Sequence, residues 1–96
     1  MMKNKLIEEK RKDIIRLALN RGAKTIRIFG SVARGEDNDK SDIDFLVSFE
    51  EERSLFDLIA LKNDLEDLLE RPVDVVTENA LHWNIREQVM REVVEI

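Results

Sequence analysis

The chain contains no cysteine, so no disulfide framework, zinc–thiolate site or thiol nucleophile is open to it. Its single histidine, His82, cannot build a histidine-based metal site alone and reads as an ordinary surface residue near a helix start. No apolar run approaches the roughly 20 residues of a membrane-spanning helix. Met1-Met2-Lys3-Asn4-Lys5 leads into a charged helix and not into a signal sequence, so the expected location is the cytoplasm. Positive charge is also scarce: 16 Lys and Arg stand against 21 Asp and Glu, a net charge of −5. That balance argues against gripping duplex DNA or RNA, whose phosphates call for a basic face, and no direct nucleic-acid binding is expected. It suits a basic partner, or a nucleotide carried with its divalent metal. The 96 residues, 43% of them hydrophobic, are enough for one small domain over 1–96 with little room for a second core. There are no internal repeats, low-complexity segments or linkers.

What is present is a short alternation of helices and strands. Residues 6–20 place Leu6, Ile7, Ile14, Leu17 and Ala18 near one stripe of an amphipathic helix, with Gly22 free to stop it at positive φ. Lys24 to Phe29 reads as a strand, and Val32-Ala33-Arg34 as a brief helical turn that Gly35 breaks. Glu36 to Ser41 has turn chemistry throughout and is expected as an exposed loop. Ile43 to Ser48 is a second strand. Ser54 with Asp57 resembles a capping box, followed by the broadest apolar stripe: Leu55, Leu58, Ile59, Leu61, Leu65, Leu68 and Leu69. Arg71-Pro72 closes that helix, because the residue before a proline is pushed out of the α region. Val73 to Val76 is a third, β-branched strand, and residues 79–96 read as a final helix with Leu81, Ile85, Val89, Val93 and Ile96 at helical spacing. Trp83, Met90 and Val94 fall off that stripe; they either extend a partner-facing patch or complete a small core. The fold class is therefore α+β, a small mixed sheet of about three strands covered by helices, in the order α-β-(short α)-β-α-β-α.

The chemistry concentrates in one stretch, Gly30 to Asp44. Asp42 and Asp44 are two residues apart, which on a strand aims both carboxylates the same way, opposite to Ile43, Phe45 and Val47. Paired carboxylates repel unless a cation lies between them, and hard oxygen donors suit magnesium. Gly30 and Ser31 offer the complementary half, a turn whose N–H groups and hydroxyl approach phosphate oxygens. Phosphate on one side and metal on the other point to nucleotide chemistry.

Asp74 stands alone in an apolar strand, where an unpaired buried carboxylate is costly. Either it faces solvent on an edge strand or pairs with an arginine such as Arg71, or it joins Asp42 and Asp44 across neighbouring strands. Three converging carboxylates could hold two magnesium ions against a triphosphate, with one of them activating an attacking hydroxyl.

Gly30-Ser31, ten intervening residues and Asp42-Ile43-Asp44, within the string GSVARGEDNDKSDIDFLV, resemble the signature of the DNA polymerase beta-like nucleotidyltransferases. The length and the third aspartate resemble their minimal, stand-alone domains. The resemblance implies that Gly30 and Ser31 bind the triphosphate of ATP, that Asp42 and Asp44 coordinate magnesium, and that Asp74 is the third catalytic and metal-binding carboxylate. Arg34 falls in the motif's turn, where it could offset phosphate charge, and Glu36 to Lys40 would lie beside the site. Domains appended for tRNA, primer or aminoglycoside recognition are not seen in this sequence.

Minimal domains of this type resemble the antitoxin half of HEPN/MNT toxin–antitoxin pairs. The resemblance implies transfer of AMP from ATP to a tyrosine of a HEPN ribonuclease toxin, in a hetero-oligomer with that toxin. The chain has no tyrosine, so such an acceptor cannot be its own. Two other readings are neutralisation mainly by binding, and transfer to a small-molecule acceptor in a pocket completed by a partner or a homodimer.

Overall fold

A computed structural model describes residues 4–38 and 40–96. The expectations for residues 1–3, and for Asp39 within the loop, lie outside the described residues. The elements run α1 (Lys5–Asn20), β1 (Ala23–Phe29), α2 (Gly30–Arg34), β2 (Ile43–Phe49), α3 (Leu55–Leu69) and β3 (Val73–Thr77). A single 3₁₀ turn (Glu78–Ala80), α4 (Trp83–Glu92) and β4 (Val94–Glu95) complete the order. The four strands form one mixed sheet in the order β3-β2-β1-β4.

Local chemistry explains where the helices begin. The Asn4 side chain accepts the Ile7 N–H at 3.1 Å and caps α1. Ser54 and Asp57 form a reciprocal capping box at the start of α3, an arrangement worth about 1 kcal/mol per cap. α3 ends at Glu70, in the left-handed region at φ 55°, just before Arg71-Pro72.

α1 and α3 pack against each other and against one face of the sheet. Between them lies the core: Ile7, Ile14 and Ala18 of α1, Leu61, Leu65 and Leu69 of α3, and Ile28, Ile43, Phe45, Val47, Val73 and Val75 of the strands. Burying each large side chain contributes about 1.5–3 kcal/mol, and the strand residues at period two are those expected to face away from Asp42 and Asp44. The α3 stripe is narrower than its leucines suggest. Leu55 and Ile59 are exposed, as is Phe56 beside them, so the first turns of α3 overhang the core.

The C-terminal segment departs from the sequence expectation. It is not one helix over 79–96: α4 stops at Glu92, Val93 turns to extended backbone, and Val94–Glu95 pair antiparallel with Ile28 and Arg27 of β1. The sheet thus has four strands where three were expected. The physical reason is that β-branched Val93-Val94 meets an open edge of β1, where pairing satisfies backbone groups that a further helical turn would leave to water. Of the expected helical stripe only Val89 is buried within α4, while Ile85 is exposed. Trp83 is 81% exposed and does not complete the core. Val94 packs against the core from β4, and His82 sits on the surface as the N-cap of α4. Among the described residues, no helix is long and apolar enough to cross a membrane.

Candidate active site

The site grows from the junction of β1, α2, β2 and β3. β1 and β2 pair antiparallel so that Phe29 lies opposite Asp44, and Gly30 follows at once as the first residue of α2. Gly30 takes φ +76°, and a Cβ there would stand 2.2 Å from Asp44 Oδ2. The Asp44 carboxylate therefore lies directly over the Gly30 backbone, a place open only to a residue without a side chain. α2 is a single tight turn that ends at Gly35, in the left-handed region at φ 72°. The Glu36 N–H then bonds Ser31 O at 2.9 Å and folds the chain back over the turn.

On its other side β2 runs parallel to β3, and the register sets Asp44 beside Asp74. Neighbouring strands are about 4.8 Å apart, and partners in parallel register send their side chains to the same face. Asp42 precedes β2 by one residue, so it sits at the strand's entrance and not within it. Asp44 is half-buried, whereas Asp42 and Asp74 are exposed. Both alternatives for Asp74 thus hold in part: it faces solvent on an edge strand, and it also stands beside Asp44. Arg71 is not its partner. The Arg71 guanidinium bonds Asp37 Oδ2 at 3.3 Å, Asn38 O at 2.9 Å and Ser41 O at 2.6 Å, clamping the loop that delivers Asp42.

The electrostatics follow the geometry. Burial pushes the Asp44 carboxyl above the ordinary aspartate range; the charges of Asp74 and Asp42 push it further, and Arg34 pulls it back. Arg34 is held charged by hydrogen bonds to Glu36 (2.8 Å) and Glu92 (3.1 Å). Among the described residues, no group of three or more acidic or histidine side chains is already gathered closely enough to hold a metal ion. The donors nevertheless fit one chemically. The charges of Asp74 and Asp42 add to burial in raising the proton affinity of Asp44, and a divalent cation relieves that repulsion with the oxygen ligands it prefers.

The structure therefore brings Gly30, Asp44 and Asp74 together, sets Asp42 beside them and places Ser31 and Arg34 on α2 at the rim. Two residues were not foreseen: Glu92, which binds Gly30 N–H and Arg34 together, and Arg71 as the loop clamp. A groove of about 640 Å³ lies at the opposite ends of β2 and β3, between Phe49, Leu55, Leu58 and Thr77, and none of Asp42, Asp44 and Asp74 lines it.

Comparison with known proteins settles the family: the profile of the nucleotidyltransferase domain matches residues 7–96. The chain belongs to the nucleotidyltransferase-domain family. A chain of Methanocaldococcus jannaschii assigned as a protein adenylyltransferase is 43% identical over 90 residues, covering 94% of this chain and 97% of that one. The protein adenylyltransferase MntA of Thermococcus cleftensis is 45% identical over 75 residues, 78% of this chain and 76% of its own. A solved structure assigned as a minimal nucleotidyltransferase superposes over the full length of both chains, with a TM-score of 0.87 and 43% identity. A toxin–antitoxin crystal structure with AMP-PNP shares the fold at a TM-score of 0.75 and 24% identity, over 88% of this chain and 69% of that chain. As a member of the nucleotidyltransferase-domain family, the chain takes a nucleotide as its substrate.

Proposed function

We propose that this nucleotidyltransferase is a magnesium-dependent protein adenylyltransferase that moves AMP from ATP onto a tyrosine hydroxyl of a HEPN ribonuclease toxin, acting as its antitoxin. The observation that carries the reading is the alignment of Asp44 with Asp74 in parallel register, directly beside Gly30. Its relatives named protein adenylyltransferase supply the reaction class, and the toxin–antitoxin complex with AMP-PNP supplies the partner class and the nucleotide. A further neighbour of the same fold is the MntA–HpeT pair in a form with two aspartates, two positions apart, changed to glutamate; the spacing is that of Asp42 and Asp44.

In this reading Gly30 N–H, Ser31 and Arg34 bind the phosphates. Asp42, Asp44 and Asp74 hold two magnesium ions, which when bound supply positive charge against the phosphates and the leaving pyrophosphate. Asp74, exposed on the edge strand β3, takes the proton of the acceptor hydroxyl. The acceptor oxygen then forms its bond to the α-phosphorus while the bond from that phosphorus to the bridging β-oxygen breaks, and pyrophosphate departs. The partner brings its hydroxyl to the solvent-facing side of β3. The reading assigns the reaction to the cytoplasm, in keeping with a chain whose described helices are too short or too polar to cross a membrane.

The test uses ATP labelled at either the α- or the γ-phosphate, with magnesium and the toxin. Label from the α-position moves to the toxin and label from the γ-position does not; transfer of the γ-label would show a different reaction. A second reading, neutralisation mainly by occupancy, draws on the exposed apolar side chains Leu55, Phe56, Trp83 and Ile85. Full neutralisation at equal stoichiometry by an Asp42→Asn, Asp44→Asn variant favours it.

A further inference from the structure

The donors that the proposed reading gives to ATP are already bound to an anion supplied by the chain itself. Glu92 ends α4, and its side chain is 19% exposed. Its Oε1 accepts the Gly30 N–H at 3.2 Å, and its Oε2 accepts Arg34 Nη1 at 3.1 Å. One carboxylate thus bridges a main-chain donor and a guanidinium, the arrangement in which a phosphate oxygen pair is held. It also adds a negative charge to a site already crowded with them, contributing to the upward push on Asp44.

We propose that Glu92 is a built-in competitor for the nucleotide's phosphates, occupying the Gly30 and Arg34 donors until the triphosphate displaces it. The inference rests on the reading of Gly30 and Arg34 as phosphate donors and goes beyond it to the state of the site before ATP arrives. Two anions cannot share these donors, and like charge drives them apart. The binding-competent state is therefore the one with Glu92 released, and the apparent affinity for ATP is reduced by the fraction of time Glu92 is bound. The contact also ties nucleotide occupancy to the C-terminal segment. Glu92 lies two residues before β4, whose two residues pair with Arg27 and Ile28 of β1, just upstream of Gly30. Displacing the carboxylate frees the end of α4, the helix that carries the exposed Trp83 and Ile85. Because the pair is part-exposed, the competition weakens as salt rises.

The experiment is calorimetric titration of the full chain with ATP, with inorganic tripolyphosphate and with adenosine, in magnesium. Glu92→Gln keeps the side chain's length and an acceptor oxygen but removes the charge. It is expected to bind ATP and tripolyphosphate about three- to tenfold more tightly and adenosine no differently, whereas Glu87→Gln on the exposed side of α4 leaves all three unchanged. Equal or weaker binding of ATP by Glu92→Gln overturns the inference, as does a gain that extends to adenosine. A wild-type chain that fails to bind ATP at all overturns the nucleotide reading itself, so the two failures are distinct. Should Glu92→Gln not fold, the carboxyl ¹³C resonance of Glu92 in the wild-type chain decides: it shifts on saturation with tripolyphosphate, and an unchanged resonance at saturation overturns the displacement.

Discussion

Asp44 and Asp74 stand beside each other in the parallel register of β2 and β3, two carboxylates on adjacent strands of one sheet face. Folding brings them together at a cost, because each disfavours the other's charge and Asp44 is half-buried as well. The Asp44 carboxyl keeps its proton to higher pH in the folded chain than in the unfolded one. Between those two limits the folded state binds more protons at this site, so the contribution of Asp44 to the stability of the metal-free protein declines as pH rises through and above the ordinary aspartate range.

Asp44→Asn removes that repulsion. In chelator at neutral pH the variant is expected to melt a few degrees above the wild type, on a scale of roughly 4–8 °C per kcal/mol for a domain of this size. Its melting temperature should lose the part of the decline above the ordinary aspartate range that Asp44 causes. Magnesium stabilises the wild type and has a smaller effect on the variant, although the variant transfers no nucleotide. Thermal melts across pH, with and without magnesium, check all three outcomes.

Gly30 meets a separate constraint. A Cβ at this position would strike Asp44 Oδ2, and φ is +76°. Gly30→Ala is expected to lose about 1–3 kcal/mol of stability. It should also lose on the order of a hundredfold in transfer, the usual consequence of moving a reacting group by about 1 Å. Urea denaturation gives the first number and single-turnover transfer the second.

Arg71 holds the loop before Asp42 through one carboxylate and two carbonyls, with both ion-pair side chains largely buried. Arg71→Ala leaves Asp37 uncompensated and is expected to cost about 2 kcal/mol. Arg71→Lys does not restore it, because one ammonium cannot reproduce a planar fork to three acceptors. Magnesium affinity, measured by calorimetry, should fall in both variants because Asp42 is no longer held in place.

Trp83, at 81% exposure, has almost nothing to lose on truncation. Trp83→Ala is expected to change stability by less than about 0.5 kcal/mol and to weaken association with the proposed toxin partner. Denaturant melts paired with binding titrations separate the two effects.

Much of this site was legible from residue spacing. The period of two in a strand put Asp42 and Asp44 on one side of β2 and Ile43, Phe45 and Val47 on the other, and those three are buried, although Leu46 on the aspartate side is buried as well. Gly30 announced a turn, and the structure adds why it must be glycine. Asp74 was visible as a charge in an apolar strand, but its alignment with Asp44 depends on β2–β3 register, which spacing alone does not contain. Glu92 left no local sign at all: it reaches Gly30 across 62 positions and looks like one more charge on a helix. The fourth strand was missed because residues 79–96 carry a helical period. The signal that could have found it is Val93-Val94, a β-branched pair where a helix would be ending.

The most direct measurement is the intact mass of the proposed partner, a HEPN toxin, after incubation with the chain, ATP and magnesium. With the wild-type chain the toxin gains the mass of one AMP, and with the Asp42→Asn, Asp44→Asn variant it gains nothing. A toxin that gains the same mass from both, or that is bound by the wild type yet never modified, contradicts the account.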